Sequence, residues 1–74
     1  MYLKADMKFV LNGRPLQTKE VTTMTVDTLL FENDYDSRKV AVAVNGSFVA
    51  RSHYKIQAVV DGDEVEVLSA VQGG

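Results

Sequence analysis

Only one stretch of this chain, Thr25 to Asn33, carries apolar residues at helical spacing; the rest of the apolar residues come in short alternating or valine-rich runs. A lone helix must lay its stripe on one face of a sheet to close a core, so an α+β roll is the expected architecture. Thr25 is the expected N-cap, because its hydroxyl can accept a free first-turn N–H, and Asp27 sits where the helix dipole favours negative charge. Met24 before the cap and Leu29 at the fourth helical position form a candidate hydrophobic staple. Val26, Leu29 and Leu30 supply the stripe, and Asn33-Asp34 the stop.

The strands are read from period-two alternation. Met7, Phe9 and Leu11 alternate with Lys8 and Val10, which predicts a strand with one buried face. Asn12-Gly13 closes it, since both residues tolerate the positive φ of a tight hairpin. Pro15 confines the return to an edge or a strand start, and the second strand is expected over residues 16 to 21. VAVAV at 40 to 44 is too short and too valine-rich for a helix. Asn45-Gly46 makes a second hairpin turn, with a short return over Ser47 to Ala50. Arg51 to Tyr54 reads as an irregular or single-turn segment. After the turn Asp61-Gly62-Asp63, Glu64 to Leu68 forms a last strand with Val65 and Val67 inward and Glu64 and Glu66 outward.

Length and composition bound what this can do. A chain of 74 residues buries only roughly 60% of its unfolded surface, enough for one thin core and no second domain. With 46% hydrophobic residues the chain should fold, yet it has no apolar run of about 18 residues to span a membrane. Eight Lys and Arg against ten Asp and Glu give a net charge of −2, which offers no large positive field for a phosphate backbone and argues against nucleic acid. The absence of cysteine removes disulfides, thiolate nucleophiles and cysteine metal sites. The opening MYLKAD lacks the apolar segment and small-residue cleavage site of a secretory signal, so the cytoplasm is expected. Residues 1–6 read as an N-terminal extension, 7–70 as the folded domain and 71–74 as a flexible tail.

Few residues suggest chemistry. His53 is the sole imidazole, with no nucleophile near it in sequence, and it reads as a partly exposed ring in an irregular segment. Asp61 and Asp63 are explained by their turn and lack the further oxygens of a calcium loop, so no metal site is expected. No glycine-rich loop precedes the helix to cradle phosphate. Gly13, Gly46 and Gly62 have turn roles, whereas Gly73 and Gly74 have none. One reading is an incidental frayed end on a small interaction module. The other is a tail slim enough to thread a narrow channel, with a terminal carboxylate that must be converted to a mixed anhydride by a partner enzyme and ATP.

MKFVLNG at 7–13, TVDTLL at 25–30, VAVAVNGSFVARS at 40–52 and DGDEVEVLSAVQGG at 61–74 together resemble the bacterial thiamine-pathway sulfur carriers, the ThiS family. The resemblance implies a β-grasp (ubiquitin-like) roll: a mixed sheet of four to five strands on one main helix, with the first and last strands together at the centre. It implies that Gly74 is adenylated by a ubiquitin-activating-like enzyme and converted to a thiocarboxylate, with Gln72 and Gly73 as the slender approach. Implied partners are that adenylating enzyme, a sulfur-transfer enzyme and a thiazole synthase. The chain would then be a monomeric co-substrate rather than an enzyme, with no stably bound cofactor and ATP used by its activator. The molybdopterin-synthase small subunit shares the fold and the Gly-Gly end, so delivery to molybdopterin or another sulfur-containing product is the alternative pathway. This sequence departs from the ThiS pattern at residues 1–6, at Ala50 where proline is common, and in a short helix followed by the polar Asp34-Tyr35-Asp36.

Alternation also predicts a docking face. If Met7, Phe9, Leu11, Val40, Val42, Val44, Val65 and Val67 point toward the helix, then Val10, Ala41, Ala43, Leu68 and Ala70 lie on the opposite side, leading into Val71. Such a patch is unusual on a monomer without partners.

Overall fold

The computed structural model describes residues 6–69. Asn12 (φ 51°) and Gly13 (φ 79°) turn the chain between β1, Lys8–Leu11, and β2, Arg14–Gln17. Consecutive positive φ values are what a two-residue hairpin matched to strand twist requires. The turn fixes the register Leu11 opposite Arg14 and Val10 opposite Pro15, so β2 begins at once and covers 14–17 rather than the expected 16–21. Thr18 N–H donates to the Met7 carbonyl at 2.9 Å; counting back by twos makes Val10–Pro15 a pair without ladder bonds. The nitrogen of Pro15 therefore faces the open edge, and the strand loses nothing by including it.

Next come β3, Thr23–Thr25, and the helix α1, Val26–Glu32. The Thr25 hydroxyl caps α1 by accepting from Thr28 N–H at 3.1 Å, and Met24 packs against the core. Asn33 closes the helix, its side-chain amide donating to the Leu29 carbonyl at 2.8 Å. The second hairpin joins β4, Val40–Val44, to β5, Ser47–Val49, through Asn45 (φ 51°) and Gly46 (φ 84°). A 3₁₀ turn over Arg51–His53 leads to β6, Ala58–Val60, and the chain passes Asp61–Asp63 into β7, Glu64–Ser69.

Five strands form one sheet in the order β2-β1-β7-β4-β5, with β1 parallel to β7 and the other pairs antiparallel. The first and last strands are neighbours inside the sheet, as a β-grasp roll requires. β3 and β6 pair antiparallel in a separate two-stranded sheet, which the sequence did not announce: each has three residues and its partner lies more than thirty residues away. Met7, Val26, Leu29, Leu30, Val42, Val59 and Val65 are fully buried between sheet and helix. At about 25 cal/mol per Å² of apolar surface, a helix presenting only three buried side chains depends on this packing rather than on its own propensity.

The parallel pairing of β1 and β7 is extended by a side chain. Val10 N–H donates to the Asp63 carbonyl and Asn12 N–H to the Val65 carbonyl, both at 2.9 Å. Beyond that point β1 has turned away, and the Asn12 side chain takes over. Its Oδ1 accepts from Val67 N–H at 2.7 Å, and its Nδ2 donates to the Val67 carbonyl at 3.2 Å. Asn45 serves the other flank: its N–H donates to the Glu64 carbonyl at 2.7 Å, and its Oδ1 accepts from Glu64 N–H at 2.9 Å.

Replacing Asn12 with Ala removes both bonds to Val67 and leaves, at φ 51°, a residue whose Cβ disfavours the left-handed region with no side-chain hydrogen bond to offset it. The expected loss is about 2–3 kcal/mol of unfolding free energy, read from urea denaturation midpoints at unchanged slope.

Candidate functional site at the outer sheet face and the end of β7

Strand β7 carries the chain out of the middle of the sheet. Its last residue, Ser69, lies opposite Val40, the first residue of β4. Ala70, Val71, Gln72, Gly73 and Gly74, where the proposed reactive tail was placed, lie outside the described residues. The site that can be built is therefore the base of the tail and the face beside it.

On the face away from α1, Leu68 lies opposite Ala41, and Ala43 lies between Glu66 on β7 and Phe48 on β5. Leu68 is 54% and Phe48 72% exposed. The alanines between them form a low floor with two apolar walls. Of the expected docking residues, Ala41 and Leu68 are exposed and Val10 is half-buried. Val10 stands apart from Leu68, because its own neighbour on β7 is Glu64. Ala43 corrects the sequence reading: it has the expected facing, but it is only 5% exposed. Its small side chain sits below the longer Phe48 and Glu66 on either side, so it supports a contact surface without forming one.

Phe48 was missed by the sequence reading. The signal was present in the hairpin: a two-residue turn at Asn45-Gly46 sets Val44 opposite Ser47 and therefore Phe48 opposite Ala43. That register alone assigns the aromatic ring to the outer face.

Beside the base of the tail, Arg38, Lys39 and Arg51 line a shallow recess of about 280 Å³ together with Ala41, Leu68 and Ser69. Arg51 braces the approach to β4, donating from Nε to the Ser37 carbonyl at 3.2 Å and from Nη2 to the Val40 carbonyl at 3.1 Å. The buried Tyr54 hydroxyl donates to the same Val40 carbonyl at 3.1 Å. Arg38 clasps Asp36 through two side-chain bonds of 3.1 Å, and its N–H donates to Asp36 Oδ1 at 2.9 Å. These bonds to the charged carboxylate lower its pKa from 3.8 to about 2.

His53 is exposed on the 3₁₀ turn. Asp61 and Asp63 serve their turn and its neighbours: Lys8 N–H donates to Asp61 Oδ1 at 2.8 Å and Val60 N–H to Asp63 Oδ2 at 2.9 Å. Among the described residues no three His, Asp or Glu side chains gather as a metal-binding group, and no helix is long and apolar enough to cross a membrane.

A five-stranded mixed sheet gripping one helix, with the first and last strands side by side at its centre, defines a ubiquitin-like β-grasp domain. Comparison with known proteins makes the class specific. The ThiS family matches residues 9–74. The crystal structure of a thiamine biosynthesis protein, ThiS, from Geobacter metallireducens is 30% identical and covers 92% of this chain and 100% of that one, with a TM-score of 0.82. An NMR solution structure of a thiamine biosynthesis protein from the same organism gives 0.76 at 30% identity, covering 92% of this chain and 88% of that one. A thiazole synthase of Paramagnetospirillum magneticum is 44% identical over 68 residues, 92% of this chain but 20% of that protein; the chain thus spans a fifth of that relative's length. The chain belongs to the ThiS family, the ubiquitin-like sulfur carriers of thiamine biosynthesis.

The Asp36–Arg38 clasp gives a pH prediction. The folded pKa lies below the unfolded one, so any stabilisation from the clasp is present above pH 3.8 and is lost as pH falls toward 2. In Arg38→Gln the Asp36 carboxyl should titrate only part of the way back toward its ordinary value, because the residue-38 N–H still donates to it, as read from its side-chain carbon shift by NMR.

Proposed function

We propose that Gly74 presents its carboxylate to an ATP-using, ubiquitin-activating-like enzyme and leaves that enzyme as a thiocarboxylate, the sulfur donor for a thiazole synthase. A carboxylate oxygen attacks the α-phosphorus of ATP and pyrophosphate leaves, giving an acyl adenylate. A sulfide-equivalent nucleophile supplied by a sulfur-transfer enzyme then attacks the acyl carbon and AMP leaves. The bond-making groups other than the carboxylate all belong to partners, so the chain acts as a co-substrate. Gln72 and Gly73 supply a narrow approach, and Leu68, Ala41 and Phe48 a docking face that aligns it.

The observation that carries this reading is the family match running through residue 74, which includes the Val71-Gln72-Gly73-Gly74 stretch. The position of β7 supports it: the strand that leads into these residues lies at the centre of the sheet, paired on both sides. The likeness to a protein named thiazole synthase supports thiazole formation as the destination over molybdopterin.

Incubation with ATP, the adenylating enzyme and a sulfur source should raise the mass of the intact chain by the difference between sulfur and oxygen. Gly73→Ala adds one methyl group where the channel would be narrowest and should slow pyrophosphate exchange about a hundredfold with the melting temperature unchanged. A chain lacking Gly74 that still supports exchange at the wild-type rate would return the protein to the class of simple interaction modules. Leu68→Asp should weaken binding to the adenylating enzyme about tenfold in titration calorimetry, because a charge would then sit in the apolar contact. Unchanged affinity would remove Leu68 from the docking face.

A further inference from the structure

The charge of this chain is segregated along β7. Asp61, Asp63 and Glu64 gather where the strand begins, and Arg38, Lys39 and Arg51 surround the recess where it ends. Three cations less the Asp36 carboxylate make the end of the strand +2, so the rest of a chain whose net is −2 carries −4. From Glu64 to Ser69 the rise is about 17 Å, about twice the Debye length of roughly 8 Å at physiological salt. The acidic pole therefore leaves the basic one largely uncompensated.

The basic pole is held in place. Arg51 ties the segment bearing Arg38 and Lys39 to the start of β4, and Lys39 N–H donates to the Asp36 carbonyl at 2.9 Å. Arg38 and Arg51 are committed to Asp36 and to backbone carbonyls. The Lys39 ammonium is exposed, and its charge acts on the nearby Asp36 carboxylate without a direct hydrogen bond to it.

We infer that Arg38, Lys39 and Arg51 form a basic collar that docks on an acidic rim around the entrance of the adenylating enzyme's tail channel. The inference rests on the carrier reading above and names the chemistry of the surface met by the base of the tail. The alternative anion would be the triphosphate of ATP, and chain length argues against it. Five residues separate the collar from the end of the tail, and fully extended they place the Gly74 carboxylate up to about 17 Å farther in. With the carboxylate at the α-phosphorus and the tail extended, the collar stands at the mouth and not at the nucleotide. Charge at that point steers encounter and fixes register, while the apolar face supplies contact area.

The test uses the full chain with its adenylating enzyme in a pyrophosphate-exchange assay, comparing Lys39→Glu with Lys19→Glu, which makes the same charge change on an exposed residue just past β2, at the end of the sheet where β7 begins. Lys39→Glu should raise KM about fivefold or more at low salt with kcat unchanged, and the difference from wild type should shrink as salt approaches about 0.5 M. Lys39→Arg should restore the wild-type KM and its salt dependence. Melting temperatures should be unchanged, because the side chain is exposed.

An unchanged KM for Lys39→Glu, an equal rise for Lys19→Glu, or a rise that persists at high salt would overturn the collar. So would a loss of kcat at constant KM. These failures are distinct from failure of the carrier reading: there, the wild-type chain itself would support no exchange, or the chain lacking Gly74 would support it normally.

Discussion

The grip on β7 is the constraint from which the rest of the structure follows. A strand entering the middle of a sheet from the far end of the chain must be paired on both sides by segments placed long before it. Here the two hairpin turns provide the fastening. Asn12 and Asn45 each adopt positive φ to turn their own hairpin and each spend a side-chain amide on the β7 backbone, at Val67 and at Glu64. Asparagine is suited to both tasks, because it tolerates the left-handed region and carries a donor and an acceptor that can match a peptide group. Glycine would turn as well and fasten nothing.

That double task also explains what could be read from the sequence. Asn-Gly turns, flanking alternation and a capped stretch are local signals, and each corresponds to an element: the helix begins after Thr25, both hairpins turn where expected, and the inward residues of β1, β4 and β7 form the core. The β3–β6 pair was not legible, because Thr-Met-Thr and Ala-Val-Val gain their identity only from each other across the fold. The side-chain bridge from Asn12 to Val67 spans 55 positions and has no local signature. At the outer face, alternation correctly gave facing but not exposure. Ala43 has the right orientation and is covered by longer neighbours, whereas Phe48 became visible once hairpin register was applied.

On the proposed carrier reading, the outer face and the base of the tail divide the work of recognition. Phe48 and Leu68 rise over alanines, which gives area without a deep pocket. Beside them, Arg51 and the Tyr54 hydroxyl converge on one carbonyl, that of Val40, directly across from Ser69. The last described pairing of β7 is thus braced from the 3₁₀ turn. On that proposed reading, a fixed root confines the search of the terminal carboxylate to a few residues.

Pro15 has a consequence for crowds of such molecules. A five-stranded sheet has two open margins, and each is in principle a template on which another copy could build. With its nitrogen turned outward, Pro15 withdraws a donor from the β2 margin, leaving the β5 margin as the complete one. A copy that tried to add a strand there would present a carbonyl to a ring instead of to an N–H. One ring in a short outer strand therefore weakens edge-to-edge pairing on that side of the sheet.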